Sequence, residues 1–141
     1  MLTYQKYRQM WNDADNITPA TPLNLDLELS SVCNLRCPFC YHSSPDWKAK
    51  KQFMPLDLAK RVIDEAFCIG IPALKPNWRG EPTLHPDFTE IIRYARPRFT
   101  DIIINTNGNW PDAAFNGLLL ADRVIVSVDS FEHYGCSRVL S

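Results

Sequence analysis

Leu23-Asn24-Leu25-Asp26-Leu27-Glu28-Leu29 alternates apolar with polar side chains without a break. A period of two sends successive side chains to opposite faces, so the stretch reads as a β-strand with one apolar face. A loop with three cysteines follows at 31–44, and beyond it the period changes. Leu58, Ala59, Val62, Ile63 and Ala66 fall at helical spacing, which predicts a helix from Pro55 to Phe67. Pro55 suits its first turn and Gly70 its stop. Ile71 to Trp78 reads as a second strand, weakened by Pro72 and Pro76, which have no N–H to give a ladder. A second helix is expected from Pro86 to Arg96, with Phe88, Ile91, Ile92 and Ala95 inward. Ile102-Ile103-Ile104-Asn105 is a third strand, residues 112–120 a shorter helix, and Arg123 to Asp129 a fourth strand. Upstream, residues 1–22 read as a short helix and a loop, with Tyr7, Met10 and Trp11 as an apolar stripe and Pro19 and Pro22 as breakers. Strands alternating with helices imply an α/β fold of parallel βαβ units with right-handed connections.

The 141 residues are enough for one domain with a real core. Fifteen basic and sixteen acidic residues give a formal net charge of -1, which offers no electrostatic reason to expect nucleic acid as a partner. The first sixteen residues carry Lys6, Arg8, Asp13 and Asp15, so they hold no apolar signal core. No apolar run approaches the roughly 20 residues of a membrane helix. A cytoplasmic protein without a membrane partner is the expectation. Five cysteines, three of them within eight positions, do not make a disulfide framework and point to metal.

The polar residues that carry chemistry gather after successive strands. Cys33, Cys37 and Cys40 follow the first, Gly80-Glu81-Pro82 the second. Asn105-Thr106-Asn107-Gly108 ends the third, and Ser127, Asp129 and Ser130 end the fourth. Parallel α/β sheets bind ligands at the carboxyl ends of their strands, so four strand ends aim at one site. Within Cys33-Asn34-Leu35-Arg36-Cys37-Pro38-Phe39-Cys40, three residues and then two separate the thiols. Thiolates hold iron–sulfur clusters, and three of them leave one iron of a cubane open.

On this motif, with its aromatic before the last cysteine, the chain resembles the radical S-adenosylmethionine (SAM) superfamily over about residues 23–130. Arg79-Gly80-Glu81-Pro82 is similar to the family's Gly-Gly-Glu-Pro segment, with Arg79 in place of the first glycine. The resemblance implies a partial TIM-like (β/α) barrel, with about four parallel strands present of the usual six. It implies a 4Fe-4S cluster on Cys33, Cys37 and Cys40 and S-adenosyl-L-methionine chelated to the open iron. Reductive cleavage of SAM would yield a 5′-deoxyadenosyl radical that abstracts hydrogen from a substrate. Gly80, Glu81 and Pro82 would contact the SAM amino group, and Ser127 and Asp129 would lie near its ribose. An electron donor such as flavodoxin or ferredoxin is implied. Residues 1–22 would precede a core at 23–141 that is carboxyl-terminally truncated, and a missing carboxyl-terminal fragment would be a further partner. Val124 to Val128 would then form an unpaired apolar edge.

The substrate is not legible. Peptide or protein modification is the expected class, beside glycyl-radical enzyme activation and nucleoside or small-molecule chemistry. Two rivals stand: a fragment that binds a cluster but cannot complete turnover, and a zinc-stabilised module with His42 as fourth ligand. Cys68 reads as a small core residue on its helix. His85, before Pro86, reads as structural. Asn24, Asp26 and Glu28 face solvent, or line the lumen if the barrel partly closes.

Overall fold

The computed structural model describes residues 2–46, 48 and 50–128. A helix, α1, spans Tyr4–Asp13, and the Thr3 side chain caps it by accepting the Lys6 N–H at 3.3 Å. Four strands follow: β1 at Leu25–Asp26, β2 at Ala73–Lys75, β3 at Asp101–Thr106 and β4 at Arg123–Val126. Between them lie α2 at Leu56–Cys68, α3 at Phe88–Ala95 and a short α4 at Phe115–Leu118. The strands form one sheet in the order β1-β2-β3-β4, and every neighbouring pair is parallel. The α/β architecture with four parallel strands is the one expected from the alternating periods.

The predicted first strand runs from 23 to 29, yet only Leu25 and Asp26 pair fully, with Leu74 and Lys75. The reason lies in β2. Pro72 and Pro76 flank it and supply no N–H, so β2 is three residues long and offers little ladder. The alternation nonetheless holds beyond the ladder. Leu23, Leu27 and Leu29 are buried, and the Leu27 N–H still reaches the Lys75 carbonyl at 2.9 Å.

One apolar layer lies between the sheet and α2, α3 and α4. Leu27, Leu29, Leu74, Ile102 and Ile104 meet Ala59, Ile63, Phe88, Ile91, Ile92 and Leu118 there. A smaller cluster of Tyr7, Leu23 and Ala73 joins α1 to the amino-terminal end of the strands. Asp101 at the start of β3 is fully buried and pairs with Arg123 of β4, which ties those two strands at the same end. The predicted third helix at 112–120 is a 3-10 turn at Asp112–Ala114 leading into α4.

Cys68 is a correction. It ends α2 and is exposed, because the buried stripe of that helix runs through Ala59, Ile63 and Ala66. Val124, Ile125 and Val126 of β4 are also exposed, at 40–46%. Among the described residues, no helix is long and apolar enough to cross a membrane.

Candidate functional site

Because the strands are parallel, their carboxyl ends share one side of the sheet. After β1 comes the cysteine loop, anchored by the buried Leu35. Cys33, Cys37 and Cys40 are all half-buried, while Arg36, Pro38 and Phe39 between them are exposed. The Cys40 N–H donates to the Cys37 carbonyl at 3.0 Å, and a 3-10 turn at Tyr41–Ser43 follows. Two N–H groups point at the Cys33 Sγ: the Leu35 amide at 3.5 Å and the Asn107 Nδ2 at 3.6 Å.

After β2 the chain passes tightly over the root of that loop. A Cβ built on Gly80 would lie 2.2 Å from the Ser30 carbonyl oxygen and 2.6 Å from that of Val32. Only glycine fits there, and the close approach lets the Glu81 N–H donate to the Val32 carbonyl at 2.8 Å. Arg79, where the resemblance expects another glycine, turns its guanidinium onto Glu28, with Nε 2.9 and 3.0 Å from the two carboxylate oxygens. Glu28 is thus an ion-pair partner at the sheet's mouth, and Asp26 accepts from Asn24 Nδ2 at 2.7 Å.

Glu81 joins the loops. Its side chain belongs to a residue only 2% exposed. Oε1 accepts from the Thr83 N–H at 3.3 Å, the Thr83 hydroxyl at 2.6 Å and the Thr106 hydroxyl at 2.8 Å. Oε2 accepts from the Asn107 N–H at 2.8 Å. A carboxylate can be buried only with such donors around it. The carboxylate expected near the SAM amine is therefore engaged in holding β2 to β3. Pro82 is buried and opens the 3-10 turn Pro82–Leu84 that Glu81 caps. At the fourth strand end, the Ser127 N–H donates to the Thr106 carbonyl at 2.9 Å, and Ser127 is exposed. Asp129, the other ribose candidate, lies outside the described residues.

Sequence reasoning missed Asn34 and the role of Asn107. Asn107 Nδ2 donates to Asn34 Oδ1 at 2.8 Å, and Asn34 Nδ2 to the Asn109 carbonyl at 2.6 Å. The available signal was three asparagines, 34, 107 and 109, in two loops that the topology brings together. His85, by contrast, is structural as expected. Its Nδ1 accepts from the Asp87 N–H at 3.0 Å, which leaves the proton on Nε2 to donate to the Met54 carbonyl at 2.7 Å.

A cavity of about 390 Å³ opens beside Tyr41, Lys75, Trp78 and Arg79. Lys75 Nζ stands 6.0 Å from the Trp78 ring centre, a cation over an aromatic face. Burial, with the neighbouring Cys40 adding to it, pushes the Tyr41 phenol up to about 12, so it keeps its proton at neutral pH. Burial pushes the His42 imidazole below its ordinary value and favours the neutral ring.

Three thiols within eight residues, at the mouth of a parallel sheet, are a donor set for iron and sulfide. The N–H groups aimed at Cys33 are those that a ligating thiolate would use. Among the described residues, no three His, Cys, Asp or Glu side chains already enclose a point where a metal could sit. Cys33 and Cys40 are free thiols. The residues fit a cluster that forms its site on binding.

Known proteins resemble this chain in sequence and in fold. A probable GTP 3′,8-cyclase of Thermococcus kodakarensis is 33% identical over 111 residues, which is 77% of this chain and 36% of that protein. The chain thus spans about a third of the length of that relative. BtrN, solved in complex with AdoMet and 2-DOIA, superposes with a TM-score of 0.64 at 21% identity, over 77% of this chain and 46% of its own. SuiB of Streptococcus suis, solved bound to the precursor peptide SuiA, gives 0.59 at 19%, over 85% and 26%. At these identities the two structures speak for the fold, an open part of a TIM-like barrel. The model of the radical SAM superfamily matches residues 27–140, which takes in the cysteine loop, the Gly80–Pro82 crossing and the Asn107 turn, and the chain belongs to that superfamily.

Proposed function

We propose that this chain is the amino-terminal part of a radical SAM enzyme that holds a 4Fe-4S cluster on Cys33, Cys37 and Cys40 and binds SAM at the open iron. The observation that carries this reading is the joining of three strand ends. Cys33, Glu81 and Asn107 are linked by hydrogen bonds although they lie up to 74 positions apart. When bound, the cluster and SAM supply the one-electron reduction and the radical that abstracts hydrogen. The protein's own part is placement. Gly80 allows the backbone after β2 to lie against the cysteine loop, and Glu81 fixes that backbone to β3. Lys75 and Trp78 offer a cation and an aromatic face to SAM or substrate. Ser127 is proposed to border the same site, and Asp129 to join it near the ribose.

Peptide or protein modification is the proposed substrate class, which the likeness in fold to peptide-bound SuiB supports. The 33% identity to a probable GTP 3′,8-cyclase favours a nucleotide as the second reading. Exposed β4 supports a further partner segment that covers Val124 to Val126, and an electron carrier such as flavodoxin or ferredoxin is the proposed electron source.

Anaerobic reconstitution with iron, sulfide and a thiol reductant tests this directly. About four irons per chain are expected, with brown visible absorbance. Cys37→Ala is expected to abolish the absorbance, and the exposed Cys68→Ala to leave it intact. Dithionite should then cleave SAM only in the loaded protein. Stoichiometric zinc without iron would overturn the reading and favour the zinc module. A loaded protein that leaves SAM uncut would point to a fragment that binds the cluster alone.

A further inference from the structure

The orientation of the Asn107 side-chain amide is fixed by its partners. Oδ1 accepts the Asn109 N–H at 2.8 Å, so the opposite atom must be nitrogen. That nitrogen has two hydrogens. One goes to Asn34 Oδ1 at 2.8 Å and the other points at Cys33 Sγ at 3.6 Å. Asn34 cannot flip to take the place at the sulfur, because its own Nδ2 is held by the Asn109 carbonyl at 2.6 Å. The Asn107 backbone is held in turn by Glu81 Oε2. A residue held at its backbone N–H and at both side-chain amide atoms loses little entropy when it donates to a fourth partner.

We propose that Asn107 is a positioning residue that steadies the Cys33 thiolate and raises the reduction potential of the cluster bound there. This rests on the cluster reading above. A cluster gains one electron on reduction, and the added charge spreads onto its thiolate sulfurs. An N–H aimed at one of those sulfurs stabilises the reduced form more than the oxidised form, so the potential rises. The Leu35 amide at 3.5 Å does the same from within the cysteine loop. Asn107 differs in coming from the turn that ends β3, so it links the electronics of the cluster to the packing of a distant strand.

The test compares reconstituted wild type with Asn107→Leu, which keeps the side chain's size and removes both donors. Iron and sulfide are measured first, and the electron is then supplied by dithionite in an EPR-monitored redox titration. Asn107→Leu is expected to hold iron and to have its reduction equilibrium weakened about tenfold, the weight of one hydrogen bond to a charged group. For a one-electron couple this lowers the midpoint by about 59 mV. An unchanged midpoint with full iron content would overturn the proposal. Wild type that takes up no iron would defeat the cluster reading instead, so the two failures are distinct. Should the leucine variant not fold, wild type labelled with ¹⁵N in its asparagine side-chain amides decides the matter. Pulsed EPR of the reduced cluster is expected to show a coupling to that nitrogen, and its absence would overturn the proposal.

Discussion

Gly80→Ala is expected to destabilise the fold by about 3 kcal/mol or more and to separate the two loops that build the site. The added methyl would stand 2.2 Å from the Ser30 carbonyl oxygen and 2.6 Å from that of Val32, both of them backbone atoms. No rotamer change relieves such an overlap, so one strand end must move. The Glu81 N–H then loses the Val32 carbonyl, and the cysteine loop loses its support from β2. Gly70→Ala is the control. Gly70 has a positive φ of 84° but nothing within 4 Å of an added Cβ, so only backbone strain of about 1–2 kcal/mol is expected. Thermal melts of the two variants would separate crowding from strain. Equal, small shifts would show that the crossing at Gly80 is not tight.

Glu81→Ala should cost about as much, for a different reason. It leaves two threonine hydroxyls and two backbone N–H groups without their acceptor in a buried site. Some will find other partners, and the remainder cost about 1–3 kcal/mol each. The expected total is roughly 4 kcal/mol, a drop in melting temperature on the order of 10–20 °C. Glu81→Gln discriminates further. Its amide oxygen can keep the three donors at Oε1, but its NH₂ would face the Asn107 N–H where Oε2 accepted it. The glutamine variant should therefore fold with a smaller loss of about 1–2 kcal/mol and disturb the Asn107 turn selectively. Amide exchange would read this as faster exchange at Asn107 with Thr83 still protected. Protection at both sites in the alanine variant would show that Glu81 is not the link.

Much of this arrangement was legible in the residues. The leucines at 23, 25, 27 and 29 revealed a strand, and the helical spacing around Ile63 and Ile91 revealed the layer that covers it. Their order implied parallel strands with a shared mouth. What stayed hidden depended on distance across the fold. Cys68 is at an apolar-looking end of its helix, but α2 turns that position to solvent. Pro72 and Pro76 warned of a weak strand, yet their effect on the length of β1 needed the pairing itself. Glu81 was recognisable as a site residue, whereas two of its four donors come from Thr106 and Asn107 at the end of β3, 25 and 26 positions later. An amide that turns toward Cys33 from Asn107 leaves no local pattern at all.

The strand order repeats the order of synthesis, so each strand pairs with the one made just before it. A chain emerging from the ribosome can add units one at a time, since no early strand waits for a distant partner. The site is the exception. Cys33 is translated 74 residues ahead of Asn107, an interval of about 4–15 s at ordinary rates of synthesis. During that interval the thiols exist without the amide of β3, and Glu81 lacks half of its donors. Iron delivered early would meet a loop held only at its root, exposed to oxidants and exchange. For the cluster proposed above, delivery is therefore best timed to follow the appearance of β3, which would make the third strand the clock for maturation of a site whose thiols follow the first.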